Sequence, residues 1–231
     1  MTMRSFLSAG LVALLPFAVL QGQVGHLPEK SPFRDLEHRQ EFTWFAGQFQ
    51  SGGDPAKVAP QSGPMVGIHY ELHMTGPAYL TARIAQVFSE RTVLDPNKLL
   101  AERDLGKKSV TMTLADVGFA LNLTGYKSWH GVVPSLGGGL GIGAGYDKLD
   151  VGNYKVGFPF LLSLRPGLKL ATRGRWQVRV DASNYFYRIR YPETYFTKIT
   201  ADPTILPPSG GRNVWKRNLG LTGGLTYAFG R

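Results

Sequence analysis

Three potential metal ligands or proton carriers stand at alternate positions in His69-x-Glu71-x-His73. In an extended chain they share one face, with about 6.6–6.8 Å between successive members. Such a row suits a metal or acid/base site, yet alternate residues on one strand rarely converge on a single ion without further ligands. The expectation is therefore a polar network, with Glu71 paired to Arg83 or Arg179. Asp116, Arg165, Lys169 and Asp181 fall on matching faces of other alternating segments. The seven charges divide into four cations and three anions, and such charges are tolerable inside a protein only when paired.

Two other arrangements invite a catalytic or cofactor reading. Ser183, Asp181 and His69 could be drawn as a deacylase-type triad. All three, however, are expected on interior faces, and no local His-x-Ser pair occurs. Gly139-x-Gly141-x-x-Ala144 matches a relaxed dinucleotide fingerprint, which requires a strand before it and a helix after it. Here the glycines lie along one strand face, and the chain from Lys155 onward reads as another strand. Their use is to leave room for long side chains opposite. No catalytic, cofactor-binding or metal residue is expected.

The elements that position these groups follow from a period of two. Eight segments alternate: 41–50, 65–74, 79–90, 110–123, 132–146, 157–170, 176–190 and 218–229. In the last, Leu219, Leu221, Leu225, Tyr227 and Phe229 face one way, and Asn218, Gly220, Thr222, Gly224, Thr226 and Ala228 the other. The fourth segment changes phase: Val110, Met112 and Leu114 precede Val117, Phe119 and Leu121, so either a bulge near Ala115-Asp116 is expected or the first half lies above the membrane in a loop. The faces opposite the apolar ones carry glycine, Arg, Lys, Glu and Asp, a poor recipe for a dry core. Turning the apolar face to lipid resolves this, and a closed barrel satisfies every backbone group there.

Connections and composition agree. Turns after the second, fourth and sixth strands are short, while 51–64, 91–108, 147–154 and 191–213 are generally longer, the asymmetry of periplasmic turns and extracellular loops. The 231 residues include 29 glycines, 12% aromatics and no cysteine, which removes disulfides and thiolate metal sites. The net charge of +10 is scattered, with no basic run to suit nucleic acid. Arg4 and the apolar stretch Phe6–Leu20 read as a signal peptide over 1–23. Residues 24–40 read as a periplasmic segment, with Ser31 capping a short helix through Arg39, and 41–231 as the barrel. Trp129, Trp176 and Phe229 are expected at the inner interface, and Tyr185, Tyr187, Tyr191 and Trp215 in an outer aromatic girdle.

The chain resembles the OmpA/OmpX-type eight-stranded outer-membrane barrels over residues 41–229, most specifically in its closing strand. That strand looks like the terminal signal read by the barrel-assembly machinery, with Gly230-Arg231 added after Phe229. The expected fold is an all-β, eight-stranded, antiparallel, up-and-down transmembrane β-barrel in a bacterial outer membrane, monomeric, with no cofactor. Its expected role is structural or surface interaction, with a plugged lumen. Contact with lipopolysaccharide-type glycolipid or a surface partner falls to Tyr191, Tyr195, Phe196, Arg212, Trp215, Lys216 and Arg217. The rival readings are a lipid A-modifying enzyme and, after it, a narrow pore or a soluble ligand-binding barrel.

Overall fold

Alternating side chains need two environments, and a sheet closed on itself supplies them without leaving an edge. The structure, a computed structural model, describes residues 31–172, 174–199 and 201–230. The expected signal peptide and residues 24–30 lie outside the described residues. Ten strands follow in chain order: β1 (Phe33–Asp35), β2 (Gln40–Gln50), β3 (Gly63–Thr75), β4 (Ala78–Leu94) and β5 (Asp104–Asn122), then β6 (Lys127–Trp129), β7 (Val132–Gly145), β8 (Phe160–Leu170), β9 (Trp176–Arg190) and β10 (Asn213–Phe229).

Eight of them form the ring β2-β3-β4-β5-β7-β8-β9-β10, every neighbour antiparallel. It closes where β10 meets β2, from Leu219↔Gln50 to Phe229↔Gln40. Eight strands leave an interior just wide enough for side chains. Turns 76–77, 123–131 and 171–175 stand at the end that holds Gln40 and Phe229; the other four connections, 51–62, 95–103, 146–159 and 191–212, stand at the opposite end.

Outward positions form an apolar belt that includes Ile68, Ile84, Val117, Phe119, Leu140, Leu162, Leu164, Val180 and Leu225, all well exposed. Inward positions are buried and differ along the barrel. The half nearer the turns is charged. The half nearer the loops is lined by Phe49, Met65, Val87, Val110, Met112, Leu114, Leu161, Tyr185 and Tyr187.

That second lining corrects two expectations. β4 and β5 pair without interruption through Ile84↔Ala115 and Arg83↔Asp116, so there is no bulge at 115–116. Val110, Met112 and Leu114 face inward like Asp116; the lumen changes its chemistry there while the strand keeps its phase. Likewise Tyr185 and Tyr187 are buried in the lumen and belong to no outer girdle. Trp215, Trp129 and Trp176 do face outward.

The helix expected from Ser31 to Arg39 is not formed. Phe33–Asp35 is instead a strand against β6, with Phe33↔Trp129 and Asp35↔Lys127, and the Leu36 amide donates to the Tyr126 carbonyl. The turn strand at 127–129 meets β7 only at Trp129↔Val132 and offers its other edge to β1, and this sheet pairing overrides the local capping signal.

Candidate functional site: a charged lumen

Three strands bring cations inward and four bring anions. Arg83 comes from β4, Arg165 and Lys169 from β8, and Arg179 from β9; Glu41 comes from β2, Glu71 from β3, Asp116 from β5 and Asp181 from β9. Each is at most 3% exposed. Nearest the turns, Lys169 Nζ lies 2.6 Å from both Glu41 carboxylate oxygens and 5.6 Å from the Tyr79 ring centre. Above it, Arg179 Nη1 reaches Glu71 at 2.5 Å, and its Nε reaches Asp181 at 2.8 Å. Arg83 donates to Asp181 at 3.5 Å and to the Thr222 hydroxyl at 3.2 Å, with its guanidinium 3.9 Å over the Phe45 ring. Arg165 donates to Asp116 at 2.7 Å, and Ser163 donates to the same oxygen at 3.0 Å.

Glycine makes space for this packing. A Cβ on Gly139 would stand 2.8 Å from Asp116 Oδ1, and one on Gly167 would collide with Asp181. Gly139 of β7 and Gly167 of β8 thus make room for charge, and nothing of the nucleotide fingerprint remains: the residues after Gly145 lead to β8, another strand.

The histidine row does not converge. His69 is fully buried, 3.4 Å from Arg165 and 3.7 Å from Glu71. His73 stands apart at the turn end. It is half-buried and stacked 4.1 Å from Tyr126, with Nε2 3.0 Å from the Gly76 carbonyl. The expected place of His73 in the network is thereby corrected: near the end of β3 the inner face opens onto turn 123–131. Ser183 is buried, but its hydroxyl has no hydrogen-bond partner among the described residues, so Ser183 and His69 form no nucleophile–base pair.

Glu41 is the lumen charge that sequence reading missed. It shares its phase with Thr43, Phe45 and Phe49, but the opposite phase holds Phe42 and Trp44, so neither face of β2 looks polar. With Glu41 the interior set is balanced at four and four.

The loop end carries a second buried cluster. Arg91 reaches Asp147 at 3.0 Å and Asp150 at 2.7 Å, with Tyr154 5.3 Å away. Tyr191 donates to Asp54, and the Tyr191 ring lies 6.4 Å from Tyr154 and 6.3 Å from Tyr195. Burial, then Asp54, pushes the Tyr191 hydroxyl above its ordinary range; burial, then Asp150, does the same for Tyr195. The loops therefore fold onto one another as a cap.

Three residues expected on a contact surface are consequently interior: Tyr191, Tyr195 and Lys216. Lys216 donates to the Pro60 carbonyl at 3.0 Å and is 2% exposed. A long loop supplies its own core, which its composition alone does not reveal. Phe196 is half-buried. Arg212, Trp215 and Arg217 remain outside, Arg212 on Glu193 at 2.8 Å and Arg217 on the Asn184 side chain at 2.9 Å.

No protein-family model and no curated protein matches the sequence. Among solved structures, the outer membrane protein OprG from Pseudomonas aeruginosa is similar at 14% identity and a TM-score of 0.51, covering 84% of this chain and 98% of that one. Neisserial surface protein A follows at 12% identity and 0.49, covering 82% and 97%. The Yersinia pestis outer membrane protein Ail stands at 15% identity and 0.36, covering 82% and 99%. The chain thus has the eight-stranded fold of the small OmpA/OmpX-type barrels. Charges inside and an apolar belt outside make it a membrane-spanning barrel in contact with lipid, and that fold locates it in a bacterial outer membrane.

Proposed function

We propose that this protein is a monomeric, closed-lumen barrel that displays a folded cap at the cell surface and acts through structure or surface contact. The observation that carries this reading is the lumen. Eight charges pair across it, aromatic and apolar side chains fill the half above, and Arg91 is buried between two carboxylates over that. Such an interior leaves no place for a general porin channel. Among the described residues the Ser183 hydroxyl also makes no hydrogen bond to His69, so that pair offers a lipid substrate no activated nucleophile.

In this reading residues 1–23 direct export, 24–40 lie in the periplasm with β1 held on β6, and 41–231 form the barrel. The closing strand, ending on Tyr227 and Phe229, carries the address for the assembly machinery. Even strand number returns both ends of the barrel to the side of the short turns, and the longer connections face outward. A Lys148→Cys variant tests the arrangement, because the chain has no other cysteine and Lys148 is exposed in the 146–159 loop. A membrane-impermeant maleimide is expected to label it on intact cells. Labelling only after lysis would overturn the reading.

A further inference from the structure

The loop connecting β7 to β8 sorts its charges. Its two acids, Asp147 and Asp150, turn inward onto Arg91, and their side chains are at most 4% exposed. Its two lysines, Lys148 and Lys155, stay in solvent. A face beside this loop is left with cations alone. Lys155 lines an open groove of about 340 Å³ together with Arg188 and Arg190 from the loop end of β9, and Phe158 forms part of its wall. All three cations are exposed, and none of their side chains makes an ion pair or hydrogen bond among the described residues.

What lies next to the groove is as informative as its charge. Trp215 is the cross-strand partner of Arg188, and 56% of its surface is free. Phe158 and Phe160 are 75% and 50% exposed, and further down the wall Leu162, Leu164, Val180 and Val178 continue the belt. Aromatic side chains of this kind settle at the level of lipid head groups. The three cations thus stand at the top of a surface built for acyl chains, and guanidinium groups are suited to bind phosphate through paired N–H donors.

We propose that the groove of Lys155, Arg188 and Arg190 binds the phosphate of an outer-leaflet glycolipid whose acyl chains lie along the belt below Trp215 and Phe158. The proposal rests on the outward orientation of the loop end given above. It differs from the surface expected from sequence, because Lys216 is buried, Arg212 is held by Glu193 and Arg217 by Asn184. The site comes instead from two strand-end arginines and one loop lysine that only the fold brings together.

The test uses the full-length refolded protein, with the heat-shifted gel band as proof of folding. Binding of bisphosphorylated lipid A is measured for the native chain and for a Lys155→Ala/Arg188→Ala/Arg190→Ala variant, beside an Arg212→Ala control. The variant is expected to lose about tenfold or more in affinity and the control to change little. Equal binding by native chain and triple variant would overturn the proposal. So would equal binding of dephosphorylated lipid A, or displacement by inorganic phosphate alone at concentrations near those of the lipid. A variant that loses the folded band is replaced by Arg188→Gln/Arg190→Gln, read in the same way. Maleimide labelling at Lys148→Cys reports orientation independently, so failure of the surface reading and failure of the phosphate site give different results.

Discussion

Lys169 and Glu41 face each other at 2.6 Å with almost no access to solvent. A charge in that position is stable only while its partner remains. Lys169→Met is expected to cost about 3–5 kcal/mol in equilibrium urea unfolding of the refolded barrel, since Glu41 is left alone. Glu41→Leu/Lys169→Met removes both charges and is expected to recover most of that loss; a double variant no better than the single one would contradict the pairing. The space for charge is as specific as the charge. Gly139→Ala sets a methyl against Asp116 Oδ1 and the Val117 carbonyl, and is expected to cost about 1–3 kcal/mol in the same assay. Alternation alone marks the seven other charges as inward, because each lies opposite a clearly apolar face. Glu41 was illegible because Phe42 and Trp44 on one side of β2 look no more apolar than Phe45 and Phe49 on the other.

Strands were the easiest elements to read, since a period of two survives whatever fills each face. Which face is which was harder in the upper barrel. Leu114 and Asp116 point to the same side, although one is greasy and the other charged. The lumen is apolar near the loops and ionic near the turns, so a rule equating apolar with outward finds a bulge where the register is continuous. Most outward positions of the belt obey the rule, with Gln86 and Asn184 as polar exceptions. Leu140→Arg, placed between Leu162 of β8 and Val117 of β5, is expected to lose about 2–4 kcal/mol in lipid vesicles. No loss there would mean that the belt does not meet lipid. The loops were the least legible elements, because Tyr191 and Tyr195 look like surface aromatics until the other loops close over them. Their cap depends on Arg91. Arg91→Met is expected to free the 146–159 loop, seen as faster trypsin cleavage after Lys148 and Lys155 while the heat-shifted band of the barrel persists. Unchanged cleavage would show that the pairs with Asp147 and Asp150 do not hold the loop.

As a whole the molecule separates charge by location. Interior cations and anions balance, so the net charge of +10 resides outside the lumen quartets. The outside is arranged in turn: lipid-facing side chains around the wall, and unpaired Lys155, Arg188 and Arg190 above them. A closed interior with an elaborated exterior is what the proposed role, action through the outer surface, requires. Single-channel recording across planar bilayers containing the refolded protein tests that directly. No steady conductance is expected in molar potassium chloride, for the native chain or for the Glu41→Leu/Lys169→Met variant, in which the charged layer above and the loop cap remain. A stable, reproducible channel in the native protein would contradict a closed lumen, and with it the account of a barrel that functions through its outer surface.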